Sequence, residues 1–365
     1  MVAISIYPSI SNILHQLGRK ERNFNDHTIR YALERLEAAT DNFWGTYANI
    51  YHKLEQKCQQ LQCVYPVFEA KCQQLGITID PQVIWRVYLP LAEWVVEERK
   101  RVLKDVFILG INGAQGSGKS TLCALLQVIL ETGFSQRAVS VSIDNFYLTR
   151  SERQRLAAEV HPLLITRGVP GTHNVVLAIS IFKSLKAARP NSSIRLPIFD
   201  KALDDQLPEE KELIFQGRPD IVLFEGWCVG ARPEPDHQLA RSINRLEAEE
   251  DPDGVWRYYV NRALGRQYAQ LFSLLDKLLL LEIPEFKVAY AQRLEQEQQL
   301  ARRLLKEGGA NSARRIMDTD ELKRFIMHFQ RLTEYMLDEM SVRADLVLKI
   351  NADRQFLKAR KRILS

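Results

Sequence analysis

The chain has 365 residues, 46% hydrophobic and 26% charged, with a formal net charge of +5. These values suit a globular protein of two domains, or one domain with an extension. They exclude an integral helical membrane protein, since no apolar run reaches spanning length, and the mild basic bias is too weak to argue for a nucleic-acid partner. Residues 1–24 read as an irregular lead-in with a single acid, Glu21. That stretch lacks the charged start and continuous apolar core of a secretory signal, so a cytoplasmic location is expected, with a plastid or mitochondrial transit segment left open. Asn25 and Asp26 cap a helix to about Phe43, with Ile29, Leu33, Leu36 and Ala39 on one face. Two further helices are expected over 47–61 and 65–75, and the pentapeptide Lys-Cys-Gln-Gln-Leu at 57–61 and 71–75 marks two similar turns, not a repeat array. Asp80-Pro81 starts the next helix, whose buried face is Ile84, Val87, Tyr88, Leu91 and Val95. Residues 1–104 thus form an all-helical N-terminal region, and 105–365 a second domain.

From 105 onward strands and helices alternate, which predicts an α/β fold with a parallel sheet and helices on both faces. Strands are expected at 106–111, 138–143, 194–199, 220–225, 276–283 and 344–350. Helices are expected at 119–131, 152–160, 174–187, 255–273, 285–306, 319–340 and 353–362. Residues 233–254, proline-flanked and charged, should be an exposed excursion with one helix near 238–248, and 308–318 a polar connector. The five cysteines (Cys58, Cys63, Cys72, Cys123 and Cys228) lack metal-type spacing and read as reduced thiols.

The most informative stretch is Gly113-Ala114-Gln115-Gly116-Ser117-Gly118-Lys119-Ser120-Thr121, placed between an apolar strand and a helix. Glycines let successive N–H groups turn inward around a phosphate, and the helix N-terminus adds positive charge aimed at the same anion. Lys119 would bridge the β- and γ-phosphates of ATP, and the Ser120 hydroxyl would ligate Mg²⁺. In open parallel sheets ligands collect beyond the carboxyl ends of the strands. There Asp144 follows the second strand, either as the group that accepts the proton of an attacking hydroxyl or as a turn cap. Glu225 ends a buried strand, either as an Mg²⁺ ligand or as a structural acid, and Trp227 beside it suits a wall of the cleft. The Arg167–His173 loop, with an Arg able to clamp an anion, and the charged pair Asp200 and Lys201 are candidates for the acceptor site. Arg293, Arg302 and Arg303 follow the next strand and suit a lid over 284–318 that steadies the transferring phosphoryl group.

Taken together, Gly113-x-x-x-x-Gly-Lys-Ser, Asp144-Asn-Phe-Tyr147, Arg167-Gly-Val-Pro-Gly-Thr-His173, Phe199-Asp-Lys201, Glu225-Gly-Trp227 and Arg293-Leu resemble D-glycerate 3-kinases of the plant and cyanobacterial type. That family sits with the phosphoribulokinase, uridine kinase and pantothenate kinase group, and the resemblance covers about 106–351. It implies transfer of the ATP γ-phosphate to the 3-hydroxyl of D-glycerate, a salvage step of photorespiration. Asp144 would be the base, Ser120 and Glu225 the Mg²⁺ ligands, Lys119 and Arg293 the phosphate contacts, and Tyr147, Arg167, His173, Asp200, Lys201 and Trp227 the acceptor site. Two positions depart from the family pattern: Asn174 replaces an Asp after His173, and Gln292 replaces a Trp before Arg293. Two other readings compete, namely a related kinase acting on a nucleoside, pantothenate or another sugar acid, and a nucleotide-binding regulatory protein that transfers nothing. Oligomeric state has no signal in the sequence.

Overall fold

Strand Phe107–Gly113 is buried along its whole length, because alternate residues meet apolar layers on opposite sides of a sheet. The computed structural model describes residues 9–24, 26–45, 50–295 and 319–362. In chain order its strands are β1 (Phe107–Gly113), β2 (Ala138–Ser142), β3 (Ser193–Leu196), β4 (Phe199–Asp200), β5 (Asp205–Gln206), β6 (Leu213–Gln216), β7 (Ile221–Gly226), β8 (Lys277–Glu282), β9 (Leu346–Ile350) and β10 (Phe356–Lys361). Six of them form one sheet in the order β10-β9-β8-β1-β7-β2, parallel except for β10. Phe107, Leu109 and Ile111 face one core with Ile221, Leu223, Leu279 and Leu281. Ile108 faces the other with Val222, Phe224, Leu278 and Leu280. The expected α/β architecture with helices on both faces is present.

The first core also contains Leu14, Leu33, Leu61, Trp85 and Leu91 from the N-terminal helices, together with the helix Lys119–Phe134. The N-terminal helices therefore cover one face of the sheet. The second core is closed by Val175–Ala187, Val255–Ala263 and Thr319–Arg343. Among the described residues no helix is long and apolar enough to cross a membrane. All five cysteines are free thiols, and burial raises Cys123 and Cys228 well above the usual range.

Several expectations are corrected. In place of the helix expected at 353–362 there is a turn followed by the antiparallel edge strand β10, Phe356–Lys361. Asn351 Oδ1 accepts from the Asp353 and Gln355 amides (3.0 and 2.9 Å), and that turn returns β10 along the open edge of β9. The strand expected at 194–199 lies outside the central sheet, where β3 pairs antiparallel with β6 in a two-stranded ribbon. The two helices at 47–61 and 65–75 are one, Ile50–Leu75, with Pro66 inside. Pro66 is exposed, so water can satisfy the carbonyl it frees while Leu61, Val64, Tyr65 and Phe68 stay buried. Ala39 is exposed, and Thr40 takes the inward place instead. Residues 233–254 hold two short helices, Asp236–Leu239 and Arg245–Glu250, and do not stand off from the body. Buried Arg331 pairs there with Glu247 (2.6 Å) and Glu234 (3.3 Å), which docks the segment on the helix Thr319–Arg343. Asn25, the connector 308–318, Arg302 and Arg303 lie outside the described residues.

Candidate active site

β1 runs straight into the glycine loop, and the helix Lys119–Phe134 leaves it. Gly116 and Gly118 take φ of +79° and +93°, a backbone region that favours glycine, and a Cβ on Gly116 would come within 2.7 Å of Gln292 Cβ. Gln292, where the resembled family has Trp, thus packs directly on the loop, and its Nε2 donates to the Ala352 carbonyl (3.1 Å). Lys119 is buried, and its Nζ donates to the Ala114 carbonyl (2.9 Å). Burial pulls the lysine pKa down, while the charges of Glu225 and Asp144 oppose that fall. Ser120 Oγ donates to Glu225 Oε1 at 3.0 Å. Two hard oxygen donors therefore meet where β1 and β7 end, a set that fits Mg²⁺. The buried Ser117 Oγ has no partner among the described residues, as suits a donor lining an anion loop.

β2 leads into a short 3₁₀ turn, Ile143–Phe146, that carries Asp144. Tyr147 Oη donates to Asp144 Oδ1 (2.7 Å) and Lys201 Nζ donates to Oδ2 (2.6 Å). Burial alone would raise the carboxyl pKa. The charge and hydrogen bond of Lys201, followed by the Tyr147 bond and the nearby His173, hold it down at about 2. The carboxyl keeps 24% of its side-chain surface and so lies at the edge of the cleft. His173 stacks against Tyr147 with ring centroids 4.7 Å apart, and its Nδ1 lies 2.5 Å from Tyr268 Oη. Burial pushes the imidazole down to about 4, with the Asp144 charge acting the other way. Its Nε2 is buried without a partner among the described residues.

The remaining expected site residues are placed differently. Arg167 pairs with Asp204 and lies over the Phe199 ring at 5.6 Å. Asp200 Oδ1 accepts from the Ala202 and Leu203 amides (2.7 and 3.2 Å), so it caps the turn between β4 and β5. Trp227 is buried, donates to the Gly168 carbonyl (2.7 Å) and meets Phe329 edge-on, which makes it a support for the Arg167–His173 loop. Asn174 Oδ1 accepts from the Leu177 amide (3.0 Å) and caps the next helix. The guanidinium of Arg293 lies over Phe325 at 5.6 Å.

Three residues at the site were not found from the sequence. Asp204 binds both Arg167 and buried Arg153, the latter at 2.9 Å, but in the sequence it is one acid in a polar turn. Tyr268 lies 95 positions from the histidine it contacts, so local pattern carried no signal. Arg354 Nε donates to the Gly116 carbonyl (2.7 Å), and the helix expected over 353–362 concealed this turn.

A phosphate loop flanked by acids at the ends of two neighbouring strands defines a phosphate-loop kinase. Comparison with known proteins agrees. No family model matches the chain. It is 32% identical over 250 residues to the uncharacterized kinase mug58 of Schizosaccharomyces pombe, a match spanning 66% of this chain and 84% of that protein. It is 24% identical over 241 residues to the chloroplastic D-glycerate 3-kinase of Arabidopsis thaliana, spanning 61% of this chain and half the length of that relative. The structure of D-glycerate 3-kinase from Cryptococcus neoformans shares the fold, with a TM-score of 0.61 at 24% identity over 75% of this chain and 99% of that one. The chain belongs to the family of the S. pombe kinase, within the phosphate-loop small-molecule kinases that include D-glycerate 3-kinase.

Proposed function

We propose that this kinase transfers the γ-phosphate of ATP to the 3-hydroxyl of D-glycerate, giving 3-phosphoglycerate. The observation that carries the reading is the 2.6 Å contact between Lys201 and Asp144. It sets an ammonium one hydrogen bond away from the carboxylate that would receive the hydroxyl. An acceptor served by both needs its own anion within a few bonds of its nucleophilic hydroxyl. The three-carbon glycerate meets that condition, whereas a nucleoside offers no carboxylate and pantothenate holds its carboxylate far from its hydroxyl.

Asp144, ionised throughout the physiological range, accepts the hydrogen bond of the 3-hydroxyl and aims its oxygen in line with the γ-phosphate. The depressed pKa makes it a weak proton acceptor before transfer, so its work is orientation first and proton removal as the new O–P bond forms. Tyr147 fixes the second carboxylate oxygen. Lys201 supplies positive charge for the acceptor carboxylate, Arg167 being paired with Asp204, and His173 supplies a neutral imidazole edge for an acceptor hydroxyl. Ser120 and Glu225 would hold Mg²⁺, which when bound neutralises charge on the β- and γ-phosphates. Lys119 serves the same oxygens from the protein side.

ADP release with Mg²⁺ and ATP across D-glycerate, L-glycerate, pantothenate, uridine and ribulose 5-phosphate tests the acceptor. We expect turnover with D-glycerate alone. Preferred turnover of another acceptor would overturn glycerate while keeping the kinase. Tight ATP binding with no turnover on any acceptor would favour a nucleotide-binding regulator.

A further inference from the structure

The acids that face the acceptor lie on the β7 and β2 side of the phosphate loop. On the opposite side, toward β8, β9 and β10, the structure holds a cleft of about 690 Å³. Its floor is Ser117, Gly118 and Thr121 of the phosphate loop and first helical turn, and one wall is the turn from Arg354 to Leu357. The opposite wall comes from the N-terminal helical region, through Thr78 and Ile79 of the connection after Leu75 and through Arg86. A triphosphate bound in the loop with its γ-end toward Asp144 would extend its other end toward this cleft. The volume falls within the range of small-molecule pockets.

Arg86 is the unusual group on that wall. Residues Ile84–Tyr88 form a π-turn within an otherwise α-helical run that resumes at Leu89–Val102. Such insertions are rare and occur often at functional sites. The Arg86 guanidinium lies over Phe43 at 5.8 Å, and its buried Nε has no hydrogen-bond partner among the described residues. Among the described residues no carboxylate pairs with it. By contrast Arg354, on the facing wall, has its Nε on the Gly116 carbonyl and pairs with Glu295 (2.8 Å). A half-buried guanidinium with unspent donors, facing a cleft that opens on a phosphate loop, is suited to an acceptor-bearing ligand.

We infer that Arg86, presented to this cleft by the N-terminal helical region, is a specificity-determining residue that binds the purine base or ribose of the nucleotide. This rests on the kinase reading above, because it takes the loop as the triphosphate site. The N-terminal region then helps build the nucleotide site, besides covering a sheet face.

The test is the affinity of the full-length protein for Mg²⁺-ATP and, separately, for inorganic tripolyphosphate, in wild type, Arg86→Met and Arg86→Lys. Methionine keeps the apolar stem, and lysine keeps the charge without the planar fork. We expect Arg86→Met to weaken ATP about tenfold, the worth of one charge-assisted hydrogen bond, with Arg86→Lys between it and wild type. Tripolyphosphate affinity should stay unchanged in both. Equal loss for ATP and tripolyphosphate, or no loss of either, would overturn the inference. If Arg86→Met fails to fold, unchanged ATP affinity in Arg86→Lys would overturn it equally. Wild-type protein that binds neither ligand would instead sink the phosphate-loop reading itself.

Discussion

Asp144 has both carboxylate oxygens held, one by Tyr147 and one by Lys201, and the second of these partners is 54% exposed. An exposed ammonium gives up a protein contact at little cost, so Lys201 can shift toward an incoming carboxylate without stranding a buried charge. Lys201→Met should therefore raise KM for the acceptor tenfold or more, as expected for a lost charge-assisted contact, and leave KM for ATP unchanged. A change confined to ATP would remove Lys201 from the acceptor site. The buried histidines give a second test. Burial holds both His173 and His328 down at about 4, against an ordinary 6.5. As pH falls below 6.5 the unfolded chain takes up protons that the folded chain refuses until about pH 4. Folding stability is thus present above 6.5 and lost across that window, by on the order of 3 kcal/mol for each histidine. Thermal midpoints measured from pH 7 to 4.5 should fall, and His328→Phe should flatten the slope. A slope unaltered by that substitution would mean that His328 is not titrating. Asp144 and Glu225 were legible in the sequence because each sits within a residue or two of a strand end, and Ser120 because it follows the glycine-loop lysine. Asp200 was not, since whether an acid reaches substrate or caps its own turn depends on backbone that the sequence does not display.

Among the elements, Pro66 interrupts the backbone ladder of a 26-residue helix whose apolar face stays packed. Pro66→Ala restores the missing N–H and should raise the unfolding free energy by about 1–3 kcal/mol, and the urea midpoint with it. A drop in urea midpoint would show that the proline is favoured by its local geometry. The segment between 233 and 254 makes a contrasting case, because Glu247 is fully buried against Arg331. Glu247→Ala leaves that guanidinium uncompensated and should cost about 3–5 kcal/mol in chemical denaturation, while a loss below 1 kcal/mol would mean that water or Glu234 takes over the charge. Composition misled in both regions. A charged, proline-flanked stretch reads as solvated until its partner on a distant helix is known. The basic, leucine-containing stretch after Asn351 has helical composition, and the open edge of β9 makes it a strand. The parallel strands β1, β7, β8 and β9 of the central sheet were legible because their near-continuous apolar runs leave few alternatives.

At the scale of the whole molecule, one apolar cluster joins Leu14, Leu33 and Trp85 to Leu109, Leu223 and Leu279. Elements that share a core unfold together, so urea denaturation followed by tryptophan fluorescence and by far-UV circular dichroism should give one coincident transition. Two separated transitions would show that the N-terminal helices form an independent unit. The helix Ile10–Gly18 lies in the stretch that reads as an irregular lead-in, but the sequence disclosed the helices after residue 25 and most of the faces they bury. It could not disclose what those faces cover, because amphipathic periodicity specifies an apolar stripe and leaves its partner unnamed.

The most direct measurement is a single-turnover assay of Asp144→Asn with Mg²⁺-ATP and D-glycerate, paired with its affinity for ATP. The substitution keeps the shape and removes the negative charge that orients the hydroxyl and receives its proton. Phosphoryl transfer should fall by about 10²–10⁴-fold, with ATP affinity within about twofold of wild type, because that affinity comes from a loop on another strand. Transfer at near wild-type rate by the variant would contradict the assignment of Asp144, and with it the mechanism proposed for this kinase.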